Sequence, residues 1–250
     1  MIVAISDNPT LTEAEFVAGF HAIGAERYHH QHPFHLLMHE GKLTRGQLQA
    51  WALNRYYYQK HIPIKDAAIL ARSEDPAFRL AWRKRILDHD GDGTKLGGIE
   101  KWLKLVEATG LSREQAIRSV GILPATRFAV DAYVQLVSTR SHLEAVASSL
   151  TELFSHKLIA LRMDRMRQHY PWLVAALDYF QGRLTQAPED ADFALAYCVQ
   201  HARTRAQQDL AHAALRAKCD ILWAQLDALY FAYVHPGWPP PGAFQPTKES

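Results

Sequence analysis

Helix-start signals recur along the chain and constrain its fold more than any other feature. At four places a Ser or Thr stands three residues before a Glu or Gln, so that the first side chain can cap a backbone N–H and the second can reach back to the cap residue. These pairs are Thr12 with Glu15, Thr44 with Gln47, Ser112 with Gln115, and Ser141 with Glu144. Asp75–Pro76 is a further start, with proline in the first helical position. Apolar residues at steps of three and four follow these signals, and no segment alternates as a strand does. We therefore expect an all-α fold without strands.

The same patterns predict where the helices and the domain lie. Helices are expected at residues 12–26, 33–40, 45–72 (bent at Pro63), 76–89, 98–109, 113–119, 124–140, 142–167, 171–181 and 189–233. The last sixteen residues hold five prolines, which prevents a helix there. We predict one helical catalytic domain over residues 1–235 and a proline-rich tail over residues 236–250, either packed as an extended arm or disordered.

Charge and cysteine usage limit the class of partner and the compartment. The net charge is +2 with both signs interspersed, which argues against nucleic acid or a membrane surface as the main partner. No apolar run approaches the roughly 20 residues that span a bilayer, and the first ten residues lack a secretory signal. If Cys198 and Cys219 share one helix, they lie about 31 Å apart, too far for a disulfide. We expect a cytoplasmic protein.

Cationic side chains interrupt the apolar stripes of three predicted helices. Arg55 lies on the stripe of helix 45–72, with Gln59 one turn further on. Arg85 and His89 are four residues apart and can reach one pocket, and Lys218 flanks the stripe of the last helix. Because a buried cation without a partner is costly, each must be neutralised. They could snorkel to the surface, or bind an acidic small molecule in a cationic pocket, or pair internally with Asp66, Glu152, Asp220 or Asp227.

Five histidines lie within YHHQHPFHLLMHEG, residues 28–41. His32, His35 and His39 share a helical face, but no H-E-x-x-H, paired cysteines or Glu-x-x-His repeat accompanies them. A structural or exposed role is expected for these three, and no metal site. His29 and His30 precede the turn at His32–Pro33 and could project into a cavity.

Seven segments in order along the chain carry a family resemblance: YHHQHPFH, NRYYYQKHIPIKDAAI, RILDHDG, RFAVDAY, SSLTELF, HYPW and KCDILWAQLDA. In this order and spacing they resemble the pyrroloquinoline quinone synthase family over most of the chain. The resemblance implies a heme-oxygenase-like helical bundle that uses neither haem nor metal and forms a homodimer. It implies ring closure and eight-electron oxidation of a polycarboxylate precursor to pyrroloquinoline quinone, with dioxygen as oxidant and hydrogen peroxide released. A polycarboxylate is also what the cations on the apolar stripes require.

Matching motifs imply which residues form the site. The implied catalytic residues are His29, His89, Tyr179 and Arg183. The implied substrate-binding residues are Arg55, Tyr58, Gln59, Lys65, Arg85, Tyr133, Glu152, Arg162 and Lys218. His89 is also a candidate for proton transfer, because imidazole titrates near neutral pH.

One position departs from the family pattern. Seven residues after Glu152 the family has a histidine that helps to bind oxygen or peroxide, whereas this chain has Ile159. His156, one turn earlier, could substitute, or the remaining site could handle oxygen alone, or the protein could stop after some oxidation steps. Two other functions stay open, namely a metal-dependent helical oxidase of the same fold and a non-catalytic binder of the quinone.

Overall fold

The computed structural model describes residues 9–246, which form eleven α-helices. Their bounds are α1 Glu13–Arg27, α2 Pro33–His39, α3 Arg45–Leu70, α4 Pro76–Asp90, α5 Gly98–Ala108, α6 Arg113–Ile117, α7 Pro124–Thr139, α8 His142–Ala147, α9 Ser155–His169, α10 Asp178–His201 and α11 Arg205–Tyr233. Short 3-10 helices cover His29–Gln31, Ser148–Phe154 and Pro171–Ala176. Within this range the β contacts amount to one isolated bridge, between Gly91 and Leu96. The all-α prediction is confirmed.

The predicted caps form at the helix starts. Thr12, Thr44 and Ser141 each accept a hydrogen bond from the backbone three residues on and receive the reciprocal side-chain contact. Ser112 accepts from the Gln115 N–H without the reciprocal bond. Local sequence therefore determines where these four helices begin.

Helix α3 is the central element, and α11 is its counterpart across the core. α3 packs against α4, α5 and α7, while α11 packs along α1, α7 and α8. α3 continues through Pro63, because proline removes only one of its backbone hydrogen bonds and the flanking turns are buried. This packing brings the polar positions of α3 into the interior.

The helix predicted at 142–167 is wrong in its continuity. α8 ends at Ala147, a 3-10 segment follows, and α9 begins at Ser155. The Ser148 and Ser149 hydroxyls each donate to a carbonyl three residues earlier, at 2.7 Å. Such bonds compete with the regular helical pattern and favour the tighter turn.

The boundaries predicted at 171–181 and 189–233 are also wrong. α10 runs through Pro188, and the break falls instead at residues 202–204. Thr204 and Gln207 form a reciprocal cap that starts α11, a signal that the sequence prediction overlooked. Cys198 and Cys219 consequently lie on different helices, and both are buried free thiols.

The described part of the tail, residues 236–246, packs against the helices. The Phe244 N–H donates to the Gly121 carbonyl at 2.8 Å, and the Tyr233 hydroxyl donates to the Phe244 carbonyl at 3.0 Å. The extended-arm alternative therefore holds for this part. Residues 1–8, which the signal-peptide prediction concerns, and residues 247–250, the end of the tail, lie outside the described residues.

Among the helices of residues 9–246, none combines the length and the apolar character that a membrane-spanning helix needs.

Candidate active site

A cavity of about 80 Å³ lies among α3, α9, α10 and α11. Nine of the thirteen predicted site residues line it: His29, Arg55, Tyr58, Gln59, His89, Glu152, Arg162, Tyr179 and Arg183. The other four lie behind this first layer: Lys65, Arg85, Tyr133 and Lys218. The structure thus brings the predicted residues to one place, although not all of them reach the cavity surface.

Helix α3 supplies one wall through residues spaced by three and four. Arg55, Tyr58, Gln59 and Ile62 share a face and line the cavity. The Arg55 guanidinium lies 4.0 Å from the centre of the Tyr58 ring. The Gln59 carbonyl oxygen accepts a hydrogen bond from the Tyr179 hydroxyl at 3.0 Å, which joins α3 to α10. The Gln59 amide nitrogen is buried and has no partner among the described residues.

Glu152 is the carboxylate of the opposite wall. It accepts a hydrogen bond from Arg183 at 2.8 Å and lies 3.8 Å from Arg85. Burial alone would raise the pKa of the Glu152 carboxyl, but Arg183, Arg85 and Lys65 together lower it to about 2. Glu152 is therefore ionised and directs Arg183 toward the cavity.

Arg85 and Lys65 belong to a buried ion network behind the cavity. Lys65 lies 2.6 Å from Asp66, and Arg85 lies 3.5 Å from Asp66 and 3.4 Å from Asp190. Asp190 also accepts from Arg183 at 3.3 Å. Internal pairing, one of the three alternatives open from the sequence, thus holds for Lys65 and Arg85, with Asp190 as a partner that the sequence did not indicate.

Lys218 lies behind Tyr58 without a carboxylate partner in residues 9–246. Its ammonium donates to the Tyr58 hydroxyl at 2.8 Å and lies 3.4 Å from the centre of the Tyr133 ring. Burial, with the charges of Arg55 and Lys65, lowers the pKa of Lys218 well below its usual value. The charged form of Lys218 is therefore disfavoured in the free protein, and a nearby anion would stabilise it.

His29 and His89 are buried and neutral near pH 7. Burial and the nearby Arg55 and Arg162 lower the pKa of His29 well below 6.5, and burial and Arg183 lower the pKa of His89 to about 4. His89 Nδ1 lies 3.0 Å from the Arg85 carbonyl, so this nitrogen carries the proton and donates it. His89 Nε2 is then a buried acceptor without a partner in the described residues, and so can take up a proton.

Ile159, and not His156, faces the cavity. Ile159 is a buried lining residue on α9, three residues before Arg162, whereas the His156 side chain is exposed. His156 lies on the outer face of α9, so of the three alternatives left open by the sequence, its placement does not support substitution of His156 for the family histidine.

The cavity also has lining residues that were not among the thirteen predicted site residues. They include Tyr28, Trp102, Thr151, Ser155, Leu158 and Phe180. Trp102 comes from α5, donates to the Ala52 carbonyl at 2.9 Å and packs edge-on against Tyr179. Trp102 lies within the helix predicted at residues 98–109, but that prediction did not show what its ring contacts. No group of three or more potential metal ligands occurs among the described residues.

The fold and the cavity together define a helical protein of the heme-oxygenase-like class. A solved structure from Shewanella denitrificans, described as a domain of unknown function with a heme oxygenase-like fold, superposes with a TM-score of 0.69 at 15% identity, covering 93% of this chain and 96% of that one. The sequence profile of the TENA/THI-4/PQQC family matches residues 20–228, and the chain belongs to this family. The predicted fold class and family are confirmed.

Curated relatives place the chain further within the family. A pyrroloquinoline-quinone synthase from Granulibacter bethesdensis is 56% identical over 240 residues, covering 96% of this chain and 94% of the relative. A pyrroloquinoline-quinone synthase from Xanthomonas campestris pv. campestris is 57% identical over 241 residues, covering 96% of both chains. The prediction that the chain is an enzyme is confirmed.

Proposed function

We propose that the chain catalyses the final ring closure and eight-electron oxidation that form pyrroloquinoline quinone from a ring-open polycarboxylate precursor. Dioxygen is the oxidant and hydrogen peroxide is released. The names of the curated relatives support a role in pyrroloquinoline quinone biosynthesis. The unbalanced charge around the cavity carries the finer proposal.

The cavity and the layer behind it hold six cations and three carboxylates. The carboxylates are Asp66, Glu152 and Asp190, and they pair with Lys65, Arg85 and Arg183. The cations without a carboxylate partner in the described chain are Arg55, Arg162 and Lys218. Arg162 and Lys218 are buried and Arg55 is half-buried, so this excess of basic groups is unfavourable in an unliganded protein and favours an anion with several carboxylates.

The orphaned polar atoms of the site suit the same ligand. His29 Nδ1, Gln59 Nε2, His89 Nε2 and Arg162 Nε are buried without partners in the described residues. Leaving such atoms unpaired costs free energy, which a ligand rich in carbonyl and carboxylate oxygens recovers at the donors. Carbonyl and carboxylate oxygens only accept hydrogen bonds, so they cannot pair with His89 Nε2, which is also an acceptor and is left for a proton of the substrate.

His89 is proposed as the base of the oxidation. In each two-electron step a substrate proton passes to His89 Nε2, and the electron pair left behind passes to dioxygen. The proton held by His89 and a second proton released by the substrate then convert the two-electron-reduced dioxygen into hydrogen peroxide, which returns His89 to its neutral form. Arg162 and Arg183 stabilise the negative charge that develops on the reduced oxygen. A bound polycarboxylate would raise the pKa of His89 and make it a stronger base.

The assigned roles of all thirteen site residues belong to this proposal. So do a reaction without haem or metal, a homodimeric assembly, a cytoplasmic location, and a small-molecule substrate in place of nucleic acid or membrane. The resemblance of the motifs supports the reaction without haem or metal and the homodimeric assembly. The basic residues around the cavity support the substrate class.

Turnover by metal-stripped protein tests the proposal. Protein treated with a chelator should consume oxygen and form quinone when the precursor is added, and His89→Asn should slow this about 10²–10⁴-fold with little change in binding. His201→Asn, an exposed histidine on α10, is the matched control and should match the parent. A requirement for stoichiometric metal would favour the metal-dependent oxidase, and quinone binding without oxygen uptake would favour the non-catalytic binder.

A further inference from the structure

We propose that His35 is a positioning residue that holds His29 and Arg162 in a fixed mutual orientation. The inference rests on the proposed function, because His29 and Arg162 are the cavity residues that it orients. Sequence reasoning assigned His35 a structural role, as one of three histidines on a face of α2. In the structure, His35 contacts two residues that line the cavity, His29 and Arg162.

One contact of His35 fixes the turn that carries His29. His35 Nδ1 lies 2.9 Å from the His29 carbonyl oxygen and must donate to it, since a carbonyl only accepts. The same carbonyl accepts from the His32 N–H at 3.2 Å. His35 therefore fixes the short 3-10 helix that directs the His29 ring toward the cavity.

The second contact supports the Arg162 guanidinium. One terminal nitrogen of Arg162 lies 3.0 Å from Nε2 and 3.3 Å from Nδ1 of His35. A nitrogen so nearly equidistant from both ring nitrogens lies over the face of the imidazole, so the guanidinium stacks on the ring. Arg162 has no carboxylate partner among the described residues, so this stacking restrains a cation that would otherwise rotate.

The charge state of His35 suits this role. His35 is only 2% exposed, and burial followed by the Arg162 charge lowers the pKa of its imidazole well below 6.5. A neutral ring can lie beneath a guanidinium, whereas a protonated ring would repel it. On α2 one turn further from the cavity, His39 stacks on His35 with ring centres 6.0 Å apart, and His39 does not line the cavity.

Two substitutions separate the two contacts. His35→Asn can keep the hydrogen bond to His29 and loses the ring beneath Arg162, whereas His35→Phe keeps an aromatic face and loses the hydrogen bond. His39→Asn is the matched control, since it alters a buried histidine of the same helix without touching either partner. The measurements are the Kd for pyrroloquinoline quinone by calorimetry, kcat and KM with the precursor, and Tm.

The two variants should fail in different ways. His35→Asn should raise the Kd about three- to thirtyfold, the range for a desolvated cation on an aromatic face, with a smaller effect on kcat. His35→Phe should lower kcat about 10- to 100-fold through misplacement of His29, with the Kd within about twofold. His39→Asn should change neither beyond what its loss of Tm explains. If one His35 variant does not fold, the one-sided change in the other still decides.

A result that would contradict the inference is a change of Kd and kcat together in both variants. If Kd and kcat change together in both His35 variants and follow the loss of Tm as in His39→Asn, His35 is structural and the inference is overturned. A parent protein that neither binds the quinone nor turns over the precursor would instead refute the proposed function, and with it the positioning role. The parent measurement therefore distinguishes the two failures.

Discussion

At the scale of single residues, removing a cation that is paired with carboxylates should affect the stability of the protein differently from removing a cation that is not. Arg85 contacts the carboxylates Asp66, Glu152 and Asp190, whereas Arg55 contacts the face of Tyr58 and no carboxylate of the described chain. Removing Arg85 strands buried negative charge, while removing Arg55 relieves repulsion with Arg162 and Lys218. The two arginines thus separate binding from stability.

Arg55→Gln should weaken the binding of pyrroloquinoline quinone without lowering the stability of the free protein. The expected loss is about 1.5–3 kcal/mol, the range for a hydrogen bond to a charged group. Calorimetry and urea unfolding measure the two quantities. An unchanged Kd would remove Arg55 from the substrate site.

Arg85→Gln should mainly destabilise the fold. Breaking a buried ion network by removing one partner costs about 3–5 kcal/mol, because uncompensated carboxylates remain. Arg83→Gln, an exposed arginine of the same helix, is the control and should leave the free energy of unfolding unchanged. If Arg85→Gln instead left the free energy of unfolding unchanged, the network would not be structural.

Ile159 places an apolar side chain on the cavity wall, at the position where the family pattern has a histidine. Ile159→His would restore a donor where charge develops on reduced oxygen, and one such donor is worth about 10²–10³ in rate. The variant should speed the oxygen-dependent phase and leave anaerobic steps unchanged, while His156→Ala should be silent because that side chain is exposed. Stopped-flow traces at several oxygen concentrations measure both. A slow His156→Ala would mean that His156 turns inward during the reaction.

Single residues of the site were predictable where a charge broke an apolar stripe. Arg55 and Arg85 could be selected in this way, and the motif resemblance added His29, Glu152 and Arg162. Asp190 could not be selected, because its contact with Arg85 arises only where α10 approaches α4, and its contact with Arg183 depends on α10 being continuous through Pro188. The contact between His35 and Arg162 could not be predicted either, because it forms only where α2 packs against α9.

At the scale of elements, sequence reasoning succeeded where the signal was local. Caps and glycines define the ends of α1 to α7 within a few residues, and Gly91, at φ +87°, lets the chain turn immediately after α4. It failed at residues 148–154 and at Pro188. In the first case side-chain hydrogen bonds override apolar periodicity, and in the second the buried faces of α10 maintain the helix through the proline.

The break before α11 depends on its cap. Thr204 accepts from the Gln207 N–H, and the Gln207 side chain accepts from the Thr204 N–H at 3.1 Å. Thr204→Ala should therefore lower the free energy of unfolding by about 1 kcal/mol. Thr185→Ala, an exposed position within α10, is the control and should be neutral or slightly stabilising, because alanine favours helix. Equal effects of the two changes in urea unfolding would contradict a capping role.

At the scale of the whole molecule, buried neutral histidines link stability to pH. The pKa values of His29 and His35 lie well below 6.5, and those of His39 and His89 are lowered to about 4, in each case chiefly by burial. The unfolded chain takes up these protons near pH 6.5 and the folded protein does not. The stability they contribute is therefore complete above pH 6.5 and declines as the pH falls from 6.5 toward 4.

The free energy of unfolding should fall by about 2 kcal/mol per buried histidine between pH 7 and pH 5. Urea unfolding at pH 7, 6 and 5 measures it. His39→Gln should reduce the slope, because it removes one titrating group. A free energy of unfolding that stays constant over this range would show that these histidines take up protons equally in the folded and unfolded states, and would contradict the lowered pKa values.

The central claim is that this cationic cavity binds the polycarboxylate precursor and oxidises it with dioxygen. A single-turnover absorbance record tests it most directly. The precursor is mixed anaerobically with an excess of protein that has been treated with a metal chelator, and oxygen is then admitted. We expect a new absorbing species to form without oxygen, and the quinone spectrum with hydrogen peroxide to follow only once oxygen enters. Quinone formation in the absence of oxygen, or no spectral change in either phase, would contradict the account.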